Sequence, residues 1–141
     1  MQTGRITIGA IATGLAQASF DQVLALVREG SSIDQPLVES QKVLFKLADM
    51  AMSIELSRTM YLKAAWLKDQ GERHTLEAHY AKLYGSESAT KIATEVLKIF
   101  GPQGYLDDSP TSRYFKQIKL FEIVEGTSEM QRLVIARELL A

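Results

Sequence analysis

At 141 residues the chain has the length of one domain, and a hydrophobic content of 46% excludes a disordered polymer while supplying enough apolar side chain for a single core. A net charge of −1 gives no electrostatic reason to expect nucleic acid or an anionic membrane as partner. The absence of cysteine excludes a thiolate nucleophile, a zinc–thiolate site and a disulfide framework.

His74 and His79 stand five residues apart, whereas a helical metal pair stands one turn apart on one face, and no Glu-x-x-His occurs. Both histidines are therefore read as structural or surface residues. No apolar run reaches the length of a membrane span, and "MQTGRITIGA" lacks the charged-then-apolar layout of a signal peptide. The reading is a soluble, cytoplasmic chain. Its helical pattern starts within a few residues of Met1, as if it were cut from something longer.

The first predicted helix, residues 5–28, places Ile8, Ile11, Ala12, Leu15, Ala18, Val23 and Leu26 at helical spacing and ends in Arg28-Glu29-Gly30. A loop, "GSSIDQP", leads to Pro36 near the start of the longest helix, about 35–70. That helix carries Val43, Leu47, Met50, Ile54, Ser57, Tyr61 and Ala64 in a stripe suited to helix-on-helix packing. Gly71 ends it. A third helix, about 74–100, turns Leu83, Ala89, Ile92, Ala93, Val96, Ile99 and Phe100 inward. Small residues such as Ala12, Ala16, Ala81, Ala89 and Ala93 allow neighbouring backbones to come close. "GPQGYLDDSP" reads as an ordered loop, because Tyr105 and Leu106 are too apolar for a free linker. A short amphipathic segment, about 111–119, precedes the last helix, 128–140, where Ser128 and Gln131 have the spacing of a capping box. The predicted fold is all-α: an up-and-down four-helix bundle of three long helices and a shorter C-terminal one.

Glu125 stands out because it follows Ile123 and Val124 and precedes a glycine and a helix start. It can be an exposed turn residue attracted by the helix N-terminus, the commoner case. The less common alternative is a base held in apolar surroundings that raise its proton affinity. Composition leaves both open.

"VEGTSEMQRLVIARELL" is similar to the end of the acyl-CoA dehydrogenase family. "GRITIGAIATGLAQASFDQV" resembles the first helix of that family's C-terminal domain, and "PLVESQKVLFKLADMAMSIELSRTMYLKAAW" its second. "AKLYGSESATKIATEVLKIFGPQGY" resembles the third helix and its following loop. Four segments in the right order extend the resemblance over the whole chain. It implies a C-terminal helical domain without the N-terminal helical and middle β domains, and FAD bound between the domains and a neighbouring subunit. It also implies that Glu125 removes the α-proton of an acyl-CoA thioester while a hydride leaves the β-carbon for the flavin. The backbone N–H of Glu125 would polarise the thioester carbonyl. Some members carry the base on the first helix, at the position of Gly4 here, so Glu125 is the candidate. Cofactor contacts are implied at Gly101, Gly104, Thr127 and Glu129, and substrate contacts at Val124 and Gly126. An electron-transfer flavoprotein as electron acceptor and a homo- or hetero-oligomer, a dimer of dimers, are implied as partners. The fragment alone is expected to be inactive.

The family pattern is broken in places. Gly30-Ser31-Ser32-Ile33-Asp34 replaces an Arg-x-x-Phe-Gly whose arginine reaches the FAD pyrophosphate of the adjacent subunit. Lys98 stands for a glutamine and Pro102 for a glycine, Lys116-Gln117-Ile118-Lys119 replaces Arg-Asp-Ala-Lys, and Val124 replaces an aromatic. Two functions follow: part of an FAD-dependent acyl-CoA dehydrogenase, favoured by Glu125-Gly126-Thr127, or a non-catalytic helical assembly module, favoured by the altered 30–34 segment.

Overall fold

The structure, a computed structural model, describes residues 2–30 and 39–141. Five α-helices run through them: α1 (Gln2–Glu29), α2 (Gln41–Asp69), α3 (Thr75–Phe100), α4 (Pro110–Ile118) and α5 (Ser128–Leu140). Single 3₁₀ turns, Gly101–Tyr105 and Lys119–Glu122, flank α4. The expected all-helical fold is present. The short amphipathic segment expected at about 111–119 forms a fifth helix beyond the four of the expected bundle, begun by Pro110 in its first turn, where a missing N–H costs no hydrogen bond. Pro36 and residues 31–34 lie outside the described residues.

Helix α3 is the axis of the molecule, packing against each of the other four helices. Its sequence explains that position. Ala78, Ala81, Gly85, Ser86, Ser88, Ala89 and Ala93 are all buried on it, so neighbours can approach from several sides. The tightest approach is to α1. A Cβ added to Gly9 would lie 2.8 Å from the Ala81 carbonyl oxygen, and one added to Gly85 would lie 3.2 Å from the Gly9 Cα. The two backbones are therefore in direct contact, with no side chain between them.

This contact corrects the face predicted for α1. Its buried residues are Ile6, Gly9, Ala12, Thr13, Ala16, Ser19, Val23 and Val27. Ile11, expected inside, is 43% exposed. A hydrophobicity pattern selects large residues, whereas a backbone-to-backbone crossing selects small ones, and here the crossing prevails. The α2 stripe matches expectation, with Leu47, Met50, Ile54, Ser57 and Ala64 buried. The main core joins Ala12, Ala16, Val23 and Val27 of α1 to Leu47, Met50 and Ile54 of α2, Ala89, Ile92, Ala93 and Val96 of α3, and Ile118 of α4.

Helix α1 also departs from the expectation that no segment could span a membrane, since it meets that test by length and composition. Its place in the main core accounts for its apolar character. The "GPQGYLDDSP" loop is ordered, but for another reason than predicted. Tyr105 and Leu106 are exposed, whereas Gly104 packs on Phe100 and its carbonyl accepts the Thr111 hydroxyl at 2.9 Å.

The crossing gives a paired expectation. Gly9→Ala forces α1 off the Ala81 carbonyl and lowers stability by about 1–3 kcal/mol. Gly14→Ala, where nothing lies within 4 Å of the added methyl, raises stability by about 0.5–1 kcal/mol. Urea denaturation of the two variants measures the contrast, and equal effects would show that the crossing has room to spare.

Candidate active site

The loop between the second 3₁₀ turn and α5 is held from below. The N–H groups of Ile123 and Val124 both return to the Leu120 carbonyl, at 3.0 and 3.1 Å. The chain then turns at Glu125, whose φ of 58° makes it the one non-glycine residue in the left-handed region among the described residues. That conformation costs an L-residue about 1–2 kcal/mol. Gly126, with φ of 99°, completes the turn at no such cost.

Two buried side chains hold the turn in place. Lys82 of α3, with no exposed surface, donates from Nζ to the Glu122 carbonyl at 3.1 Å and to the Gly126 carbonyl at 2.6 Å. Gln131 of α5 donates from Nε2 to the carbonyls of Glu125 and Gly126, both at 3.0 Å. Hydrogen bonds from a charged donor each contribute about 1.5–3 kcal/mol, enough to outweigh the strain at Glu125. The Gln131 amide is oriented in turn by His79, whose Nδ1 lies 2.5 Å from Oε1. An amide oxygen only accepts, so His79 donates from Nδ1. This defeats the capping box predicted from Ser128 and Gln131. Thr127 is the N-cap, Ser128 lies inside the helix, and the Gln131 side chain is committed to the turn.

With the Glu125 and Gly126 carbonyls drawn inward, peptide planarity points the N–H groups of Gly126 and Thr127 the other way. Among the described residues no backbone carbonyl accepts from the N–H of Glu125, Gly126 or Thr127. The Glu125 carboxylate lies over Gly4 of α1: a Cβ there would fall 2.7 Å from its Cδ and Oε1 and 2.9 Å from its Oε2. Arg5 Nε and Ser128 Oγ, beside Gly4 and Thr127 in sequence, are buried without a hydrogen-bond partner. The site thus combines a placed carboxylate, free N–H donors and unpaired polar atoms.

Burial lowers the pKa of Lys82 from the usual lysine value, opposed mainly by the nearby Glu122. Burial likewise lowers that of His79, against the hydrogen bond to Gln131, and the nearby Arg5 charge lowers it further. Glu129 is held low by its own backbone N–H and then by the Thr127 hydroxyl.

The sequence matches the acyl-CoA dehydrogenase C-terminal domain family over residues 1–140. The probable acyl-CoA dehydrogenase YngJ of Bacillus subtilis is 52% identical over 137 residues, covering 97% of this chain and 36% of that protein. The cyclohexane-1-carbonyl-CoA dehydrogenase of Geobacter metallireducens is 45% identical, covering 96% of this chain and 36% of that one. Butyryl-CoA dehydrogenase from Megasphaera elsdenii superposes with a TM-score of 0.96 at 36% identity, over 99% of this chain and 37% of that structure. The chain belongs to the acyl-CoA dehydrogenase family. It spans about a third of the length of the relatives it matches.

In this acyl-CoA dehydrogenase domain the residues singled out from sequence fall into two groups. Val124, Glu125, Gly126, Thr127 and Glu129 share the turn and the start of α5, with Gly4 beneath them. Gly101 and Gly104 sit in the 3₁₀ turn after α3. Gly101 has a φ of 68° and nothing within 4 Å of an added Cβ, while the close approach Gly104 requires is to the Phe100 Cβ, at 2.7 Å. Lys98 is tied to Glu95 at 2.6 Å and Lys116 to Asp107 at 2.7 Å.

Lys82, His79 and Gln131 were missed as a unit. The signal available was a lysine flanked by Ala81 and Gly85 on the small-residue face of a helix, where a charged side chain has to find buried acceptors. Their energetics set a pH dependence. The folded domain keeps His79 neutral, so as pH falls below about 6.5 the unfolded chain gains a proton that the folded one refuses, and stability declines. Carboxylates held low in the fold add their own loss only below about pH 4.5. Denaturant titrations at about pH 7.5 and about pH 5.5 are expected to show a fall that is smaller in His79→Asn, and an identical fall would remove His79 as its source.

Proposed function

We propose that this domain supplies the catalytic base of an FAD-dependent acyl-CoA dehydrogenase that oxidises acyl-CoA thioesters to 2-enoyl-CoA. The observation that carries the reading is the Glu125 carboxylate, fixed over Gly4 by a turn whose carbonyls are tied inward and whose N–H groups are free. Glu125 takes the proton from the α-carbon, and the electron pair of that C–H bond forms the new double bond as a hydride leaves the β-carbon. The thioester carbonyl, hydrogen-bonded by the Glu125 N–H, makes the α-proton acidic enough to move. FAD, when bound, supplies the acceptor for the hydride.

Fit to the flavin is supported by the unpaired Arg5 Nε and Ser128 Oγ and by the open backbone at Gly101. The cofactor contacts assigned to Gly101, Gly104, Thr127 and Glu129, and the substrate contacts of Val124 and Gly126, belong to this reading. So do the N-terminal helical and middle β domains that complete the pocket, and electron-transfer flavoprotein as acceptor. The outer face of α2, with Phe45 62% and Trp66 60% exposed, joins Leu139 and Leu140 of α5 in offering apolar surface for assembly into an oligomer. A purely structural module would account for that surface but not for a strained glutamate seated on a glycine.

The test is anaerobic flavin reduction by acyl-CoA in the FAD-loaded protein. Glu125→Gln is expected to bind FAD normally and to lower the reduction rate by about 10²–10⁴-fold. Gly4→Ala, whose methyl displaces the flexible carboxylate end, lowers the rate while leaving thermal stability unchanged or higher. Normal reduction by Glu125→Gln would return the domain to the assembly reading. The described chain by itself is expected to remain colourless after incubation with FAD and desalting; yellow protein would show that it holds the flavin unaided.

A further inference from the structure

We propose that Lys82 is a positioning residue for the reaction: a buried cation whose two carbonyl bonds hold Glu125 in its reactive conformation. The inference rests on the reading of Glu125 as the base and goes beyond it, since Lys82 lies beneath the turn and acts on Glu125 only through the backbone.

Lys82 has no exposed surface, and among the described residues no carboxylate lies within ion-pair distance of it. A lysine buried merely to stabilise a fold takes a carboxylate partner, because an ammonium without one keeps most of its desolvation cost. Here its acceptors are two carbonyls chosen from one loop, Glu122 before the turn and Gly126 just after Glu125. They bracket the residue with the unfavourable φ. Without that clamp the cheaper conformation has φ below zero, which swings the side chain off Gly4 and redirects the N–H of Glu125. The Gly126 carbonyl is shared with Gln131, so the turn is gripped from α3 and α5 at one atom. His79, one turn before Lys82 on α3, keeps the Gln131 amide with its N–H groups toward the loop.

The test uses the FAD-loaded protein carrying Lys82→Met, which keeps length and apolar character but removes both donors. Three readouts are taken: thermal melting, kcat and KM for an acyl-CoA, and hydrogen exchange of the segment containing the Ile123, Val124 and Gln131 amides, each of which donates to a backbone carbonyl in this structure. Expected are unchanged FAD content, kcat lower by about 10–100-fold with KM within about threefold, and exchange of that segment faster by about tenfold or more. Should Lys82→Met fail to fold, Gln131→Leu releases the shared Gly126 carbonyl, together with that of Glu125, from the other side and is expected to give the same pattern. Unchanged exchange and unchanged kcat would overturn the proposal. So would a loss of activity that tracks FAD loss or global melting, since that is a structural role only. The exchange readout also separates this proposal from the assignment of the base: normal turnover by Glu125→Gln removes the base, while faster exchange in Lys82→Met would still establish the clamp.

Discussion

The crossing of α1 on α3 is the constraint on which the rest depends. Gly9 and Gly85 let the two backbones touch, with the Ala81 carbonyl at the contact. Ala81 is the neighbour of Lys82, and Gly4 lies five residues before Gly9 on the same helix. A helix rises 1.5 Å per residue, so the crossing sets Gly4 at a fixed height above the point where Lys82 leaves α3. The carboxylate seat and the loop clamp are thus referenced to one contact. A side chain at the crossing would separate the helices and detach seat from clamp.

The clamp itself is a choice between unfavourable terms. Burying an ammonium costs several kcal/mol, and two carbonyl acceptors return only part of what a carboxylate would. A carboxylate beside Lys82 would, however, bring a second negative charge close to Glu125 and compete for protons. Carbonyls provide the acceptor lone pairs without that charge. The nearby Glu122, Glu87 and Glu129 partly offset the desolvation of Lys82 from a distance, and Glu122 is itself engaged by Lys119.

The helices were legible because each long one carries its own stop signal and a repeating apolar stripe. On α2, where packing is side chain to side chain, the stripe from Leu47 to Ala64 gave the buried face directly. On α1 it gave Ala12 and Val23 correctly but missed part of the face, because a glycine crossing buries small residues and leaves Ile11 outside. Glu125 was legible as a residue of interest, and the family resemblance supplied the role proposed for it. What was not legible was its support. The Ser128–Gln131 spacing looked like a local capping box, yet Gln131 spends its amide on a turn five and six residues earlier and on a histidine 52 residues away. Lys82 is joined to that turn across 40 and 44 residues, a separation that no local pattern encodes.

Location and reactivity are divided in this domain. Glu125 is exposed, so the apolar surroundings expected from Ile123 and Val124 are not furnished here, and Ile123 itself is 58% exposed. The domain fixes where the carboxylate stands; on the proposed reading of Glu125 as the base, a water-excluding cover has to arrive with the substrate and the surfaces that close over the turn. That division has a physical rationale. A base desolvated permanently by its own domain would pay for burial in every state, whereas one covered only on binding would meet its low-dielectric environment when its substrate is in place. Rigid placement from below and transient cover from above are then separate requirements. The first is met by Gly4, Lys82 and Gln131 within this one chain.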